Sequence, residues 1–143
     1  MTAVEAIRSL MARYNVEGDR ARIEALATCF AMDGVLTFSG ESTVGRAAIV
    51  ARLTRGGGRA NPHHSFSRHH LTTSLIEVTG DTATGRSYFQ VLTDIGLDHH
   101  GVYVDQFTRT AEGWRIAHRE VRIDWQSPQS VNPRLWVRGV EPA

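Results

Sequence analysis

The sequence predicts an α+β domain in which three N-terminal helices pack on a strongly curved antiparallel sheet. Two observations carry this. Apolar residues recur at helical spacing before residue 54, and four segments of strand character follow after residue 66, separated by turn signals at hairpin length. A third is length: 143 residues suit one compact domain with a core of its own.

The elements follow in order. Thr2 with Glu5 forms a capping-box pattern, and Ile7, Leu10, Met11 and Tyr14 fall on one face, giving a first helix to about residue 16. Asn15 to Asp19 interrupts that stripe. A second helical stretch buries Ile23, Leu26 and Phe30, with Cys29 beside that face as a small packed hydrophobe. Asp33-Gly34 reads as a turn, and Val35, Leu36 and Phe38 as a short strand. "GRAAIVARL", Gly45 to Leu53, is a third helix, ended by Gly56-Gly57-Gly58 and a loop reaching Asn61-Pro62. Residues 67–78, 82–95, 101–110 and 113–125 form the meander, with "IGLDHH" (95–100) as a connecting turn. The domain is expected to span 1–125, with 126–143 as a tail over a pocket mouth or a neighbouring subunit.

Composition narrows the chemistry. The net charge is +1, so no overall field favours nucleic acid or an acidic membrane. All sixteen basic residues are arginine, which removes Schiff-base chemistry, a lysine general base and the P-loop. The single cysteine excludes an intrachain disulfide, and neither a secretory signal nor an apolar run of membrane-spanning length is present. A cytoplasmic protein is expected.

Six of the seven histidines stand in adjacent pairs, 63–64, 69–70 and 99–100. Neighbours on a strand face opposite ways and cannot chelate together, and HExxH is absent, so no metal site is expected. His63, His64, His99 and His100 read as solvated loop residues and His118 as structural. Asp94, Asp98 and Asp105 read as surface charges, with a cross-strand arginine as the other option for Asp105.

The informative pair is in "SRHHLTTSLIEV". His69 shares a face with Leu71, Thr73 and Leu75, so it is expected inward and His70 outward. Beyond Leu75 the apolar residues shift to Ile76 and Val78, as a bulge would cause. A buried histidine needs a partner for its ring N–H. Asp19 is the best-placed candidate, and spacing alone leaves it open between that role and an N-cap of the second helix.

The stretches "YNVEGD", "ALATCFAMDGVL", "TATGRSYF" and "GVYVDQFTRTAEGWRIAHREVRI" resemble the SnoaL-like branch of the nuclear-transport-factor-like, cystatin-like cone proteins. That branch includes scytalone dehydratase, bile acid 7α-dehydratase and hexachlorocyclohexane dehydrochlorinase. The resemblance covers roughly residues 4 to 125. It implies a cofactor-free enzyme in which Asp19 pairs with His69 (or with His70, one residue out), joined by Tyr14 and Arg122. It implies a pocket lined by Phe30, Leu36, Leu71, Phe89, Tyr103 and Phe107, and a homo-oligomer, trimer rather than dimer. The implied reaction is proton abstraction by His69 and loss of a hydroxyl from a small, mostly apolar ring compound. His69 or Tyr14 would protonate the leaving oxygen, and Arg122 would hold negative charge. An isomerase or cyclase using the same base, or a non-catalytic ligand-binding protein or oxygenase small subunit, are the alternatives. The chain departs from these enzymes at Val91, Leu92 and Thr93, where scytalone dehydratase carries a second histidine and the bile acid enzyme an acid, and it has no pocket lysine.

Overall fold

The computed structural model describes residues 1–54, 65–135 and 137. Helix α1 is Ala3–Asp19, α2 Ile23–Ala27 and α3 Arg46–Thr54. The strands are β1 Phe30–Phe38, β2 Glu41–Val44, β3 Ser67–Thr79, β4 Thr82–Thr93, β5 Gly96–Thr110 and β6 Gly113–Gln126. They form one curved, unclosed sheet of order β2-β1-β6-β5-β4-β3, antiparallel except where β1 runs parallel to β6. The glycine run 56–58, Asn61-Pro62, His63 and His64 lie outside the described residues.

Helix α1 starts where its cap dictates. Thr2 Oγ1 accepts from the Glu5 amide at 3.1 Å, and the Glu5 carboxylate accepts from the Thr2 amide at 2.8 Å. The helix runs to Asp19, three residues beyond the expected end. The failing apolar stripe does not mark a terminus. Asn15 stays buried and, with Gly18, lines a cavity, so the polar residues continue the inward face.

Helix α2 is shorter than expected, because Phe30 opens β1 and pairs with Ile116. Asp33-Gly34 is a bulge in β1 rather than a turn. A Cβ on Gly34 would lie 2.8 Å from Phe30 Cβ and 3.0 Å from the Ile116 carbonyl, so only glycine lets β1 close on β6 there. Strand β2, unforeseen from the sequence, is reached through Ser39 and Gly40, both with positive φ (53° and 77°).

Two more bulges decide which side chains face inward. In β3, Leu71 pairs with Phe89 but Thr73 with Tyr88, leaving Thr72 as the extra residue. The bulge therefore comes earlier than expected, and Leu75 faces solvent while Ser74 and Ile76 turn inward. The segment 95–100 is not a turn. Only Asp94 and Ile95 separate β4 from β5, and Val91 pairs with His99 while Leu92 pairs with Leu97. Asp98 is the extra residue, so Asp98 and His99 are both buried.

The core joins the inner faces of α1, α2 and α3 to the concave side of the sheet, through Ile7, Met11, Phe30, Ile49, Phe107 and Ile116 among others. At its base lies a charge pair. Arg119 is fully buried and donates from Nε and Nη2 to the two Asp105 oxygens, each at 2.8 Å. Asp105 is therefore the partner of a cross-strand arginine and not a surface charge. The guanidinium carbon sits 4.2 Å from the Tyr14 ring centre and 4.0 Å from that of Tyr103, which offers the cation two π faces. Asp105→Ala leaves this buried cation without its counter-ion. A loss of about 3–5 kcal/mol is expected, read as a lowered urea midpoint.

Candidate active site

A cavity of about 260 Å³ opens between α1, α2 and the concave sheet face. A cavity of about 150 Å³ accommodates benzene, so this one suits a compound of one or two rings. Its walls are mostly apolar, including Leu26, Leu36, Phe38, Phe89, Val91 and Ile123. Its polar groups are few: Asn15, Ser67, His69, His99, Asn132 and the phenols of Tyr14 and Tyr103. Apolar walls with a few fixed polar groups are the common form of a small-molecule site.

The last turn of α1 delivers Asp19 to the start of β3. Asp19 Oδ1 lies 2.6 Å from His69 Nδ1 and accepts from Ser67 Oγ at 3.3 Å, while Oδ2 accepts from the His69 backbone amide at 2.9 Å. A carboxylate only accepts, so Nδ1 carries the hydrogen, and in the neutral ring the lone pair is on Nε2. Burial alone raises the Asp19 carboxyl. The hydrogen bonds from His69 and Ser67 outweigh it and hold the group below its ordinary value. The His69 ring stacks on Phe89 with centroids 6.3 Å apart, and Phe89 stacks on Tyr103 at 4.4 Å. His70 is exposed on the other face. Asp19 is thus not an N-cap: α2 has no side-chain cap.

The sequence reading missed a second histidine. His99 was expected on a solvated loop and Asp98 on the surface; the β5 bulge buries both. His99 Nδ1 lies 2.7 Å from Asp98 Oδ1, so its Nε2 also keeps a lone pair. The rings of His69 and His99 stand edge to face with centroids 6.5 Å apart. Burial lowers the His99 pKa, against the raising effect of Asp98, and keeps the ring neutral to lower pH. The one sequence signal for this site was an Asp-His pair in a segment whose alternation failed.

Asp98 also anchors the C-terminal segment. Beyond His99 it accepts from Ser130 Oγ at 2.6 Å, Asn132 Nδ2 at 3.0 Å, the Val131 amide at 3.0 Å and Thr93 Oγ1 at 3.1 Å. The segment so held adds Asn132 and Leu135 to the cavity lining. Burial raises the Asp98 carboxyl, but these donors together hold it far below the usual carboxylate range.

The other expected site residues divide. Tyr14 lines the cavity, and its phenol is raised by burial, so it stays protonated. Leu36, Phe89 and Tyr103 line the cavity; Phe30 and Phe107 are core residues outside its lining, and Leu71 packs half-buried against that core. Arg122 is not brought to the site. Val121 and Ile123 line the cavity, so strand alternation turns Arg122 to the opposite face, where its Nε donates to Glu120 at 3.0 Å. Among the described residues, no group of three or more His, Cys, Asp or Glu is arranged to hold a metal, and no helix is long and apolar enough to cross a membrane.

These directions predict a two-step acid response. The fold resists protonating His99, so stability falls with pH from about 6.5, the unfolded histidine value, downward. Asp19 and Asp98 have depressed values. Their contribution is present above about pH 4 and is lost as pH falls through their folded values. Melting temperatures recorded from pH 8 to 2 should show both steps, and His99→Phe should remove the first and, by taking one donor from Asp98, shrink the second.

A family model described as a SnoaL-like domain matches residues 1–120. No curated protein matches the chain. Among solved structures, Rv3472 of Mycobacterium tuberculosis, described as of unknown function, is 34% identical with a TM-score of 0.74, covering 85% of this chain and 71% of its own. An NTF2-like protein with a cystatin-like fold from Novosphingobium aromaticivorans is 31% identical, TM-score 0.74, covering 88% and 84%. A candidate scytalone dehydratase from the same bacterium is 20% identical, TM-score 0.76, covering 97% and 95%, a likeness that shows the shared fold.

Proposed function

This chain belongs to the SnoaL-like family, and on that premise we propose that it is a cofactor-independent lyase of dehydratase type, with His69 as its general base. Members of the family include isomerases, cyclases and dehydratases. The observation that carries the reading is the Asp19–His69 pair at 2.6 Å, with His69 on the wall of a mostly apolar cavity.

His69 Nε2 takes an acidic C–H proton from a small hydroxylated ring compound. Asp19 stabilises the imidazolium that forms, as a fixed carboxylate does for a histidine base. The electron pair left on carbon forms the double bond, and the C–O bond to the neighbouring hydroxyl breaks. His69, now protonated, or the neutral Tyr14 phenol delivers the proton that lets water leave. Proton transfer of this kind contributes about 10²- to 10⁴-fold; positioning in the cavity supplies the rest. With Arg122 on the other face, no arginine is assigned to the reacting atoms. The isomerase reading uses the same proton abstraction and returns the proton to a different carbon.

The test is a panel of hydroxylated aromatic, polyketide-type and steroid compounds, followed by mass loss of water. One- and two-ring members should react first. Isomerised products of unchanged mass would favour the second reading, and inertness toward the whole panel would remove the lyase assignment.

The protein is further proposed to assemble with itself, as a trimer rather than a dimer. Leu75, Tyr88 and Trp125 are large apolar side chains left exposed on the sheet, and a second copy would cover them. Sedimentation equilibrium should give three times the chain mass; a monomer would contradict this.

A further inference from the structure

The cavity holds one ordered acceptor that proton abstraction by His69 does not use. His99 is buried, lines the cavity and is fixed through Nδ1 by a carboxylate that is itself inaccessible to solvent. No hydrogen-bond partner is found for its Nε2 among the described residues, yet that atom is not among the buried, unsatisfied ones. A neutral imidazole whose Nδ1 donates can only accept at Nε2. It recognises a hydroxyl, and it gives nothing to an ether or a bare ring edge.

Asp98 adds a second property. Its Oδ1 is shared by His99, Ser130 and Asn132, and its Oδ2 takes the Val131 amide. The group that sets the His99 tautomer is therefore the same group that seats the segment carrying Asn132 and Leu135 into the cavity wall. Each donor that converges on this buried carboxylate helps offset the cost of burying its charge. A displaced segment removes three of the donors and leaves Asp98 with His99 and Thr93 alone.

We propose that His99 is the specificity residue of the cavity, accepting a hydrogen bond at Nε2 from a hydroxyl of the bound ring compound, and that Asp98 is its positioning residue, tying that recognition to the seating of residues 127–135. This rests on the reading of the cavity as a ligand site and names what the ligand must carry: a hydroxyl within reach of His99 while the His69 ring stands beside it. Both histidines then serve one compound. His69 removes the C–H proton, and His99 selects and orients a hydroxyl.

The experiment uses two ring compounds of the same size, 2-naphthol and naphthalene, titrated by fluorescence against the full chain. The wild type should bind 2-naphthol about tenfold more tightly, the worth of one hydrogen bond in a dry site. His99→Phe keeps a flat ring but no acceptor. It should erase the preference while leaving naphthalene affinity within about twofold. Asp98→Ala frees the imidazole to carry its hydrogen on either nitrogen. It should weaken the preference and let 2-methoxynaphthalene, whose oxygen only accepts, gain on naphthalene as it does not in the wild type, with a changed imidazole ¹⁵N spectrum and faster trypsin cleavage at Arg134. An unchanged preference in His99→Phe overturns the proposal and leaves the lyase reading standing. Failure of the wild type to bind either compound overturns the ligand-site reading together with the proposal.

Discussion

His69→Ala should lower the rate of water loss from any substrate found in the panel by about 10³-fold or more, within or above the range for losing a positioned proton acceptor. His70→Ala should change it by less than about twofold. The contrast follows from strand geometry. The two residues are neighbours in sequence, but only His69 faces the cavity and meets Asp19. The fold of His69→Ala should survive, because Asp19 keeps the backbone amide of residue 69 and the Ser67 hydroxyl as donors. The stability cost should stay near 1–2 kcal/mol, and a melting curve separates this from lost chemistry. A reversed result, with His70→Ala inactive, would place the working base on the solvent face and contradict the structure.

Asp19→Asn should be almost as severe, a fall of about 10³- to 10⁴-fold with little change in the fold. The reason lies in the two oxygens. Oδ2 accepts from the His69 amide and Oδ1 faces His69 Nδ1. In the asparagine variant the oxygen must keep the backbone donor, so the side-chain amide nitrogen meets Nδ1. The imidazole then turns its lone pair to that nitrogen and carries its hydrogen on Nε2, toward the cavity. A base becomes a donor. Long-range ¹H–¹⁵N spectra should show the tautomer exchanged, and Asp19→Glu should restore part of the rate.

How much of this was written in the sequence depends on what each signal measures. Helix and strand order came from apolar periodicity, and it held for α1, α3 and the four long strands, whose inner faces are apolar. A break in a helical stripe and a polar residue on an apolar strand face marked Asp19 and His69 as candidates; spacing left their pairing open, the resemblance implied it, and the structure brings the two together. Where the inward residues are polar, periodicity points the wrong way. Asn15 and Gly18 looked like the end of a helix, and Asp98 and His99 like a loop, though each lines or supports the cavity. Bulges were the second obstacle. One extra residue at Thr72 or Asp98 flips every later side chain, and only the pairing register reveals it. Arg122 shows a limit of resemblance. Its place on the last strand matched, but alternation with Val121 and Ile123 puts it on the far face. Phe30 and Phe107 were expected in the pocket lining and are buried in the core outside it. Burial alone did not separate the core beneath a cavity from the cavity wall.

A single physical event underlies the proposed chemistry: removal of a carbon-bound proton by His69, held in place by Asp19. Deuterium uptake at C2 of 1-tetralone, a two-ring ketone with an acidic C–H, measures that event without requiring the natural substrate. In D₂O, wild-type protein and His70→Ala should speed the exchange well above buffer, whereas His69→Ala and Asp19→Asn should return it to the buffer rate. Equal exchange in wild type and His69→Ala would contradict the assignment of His69 as the base.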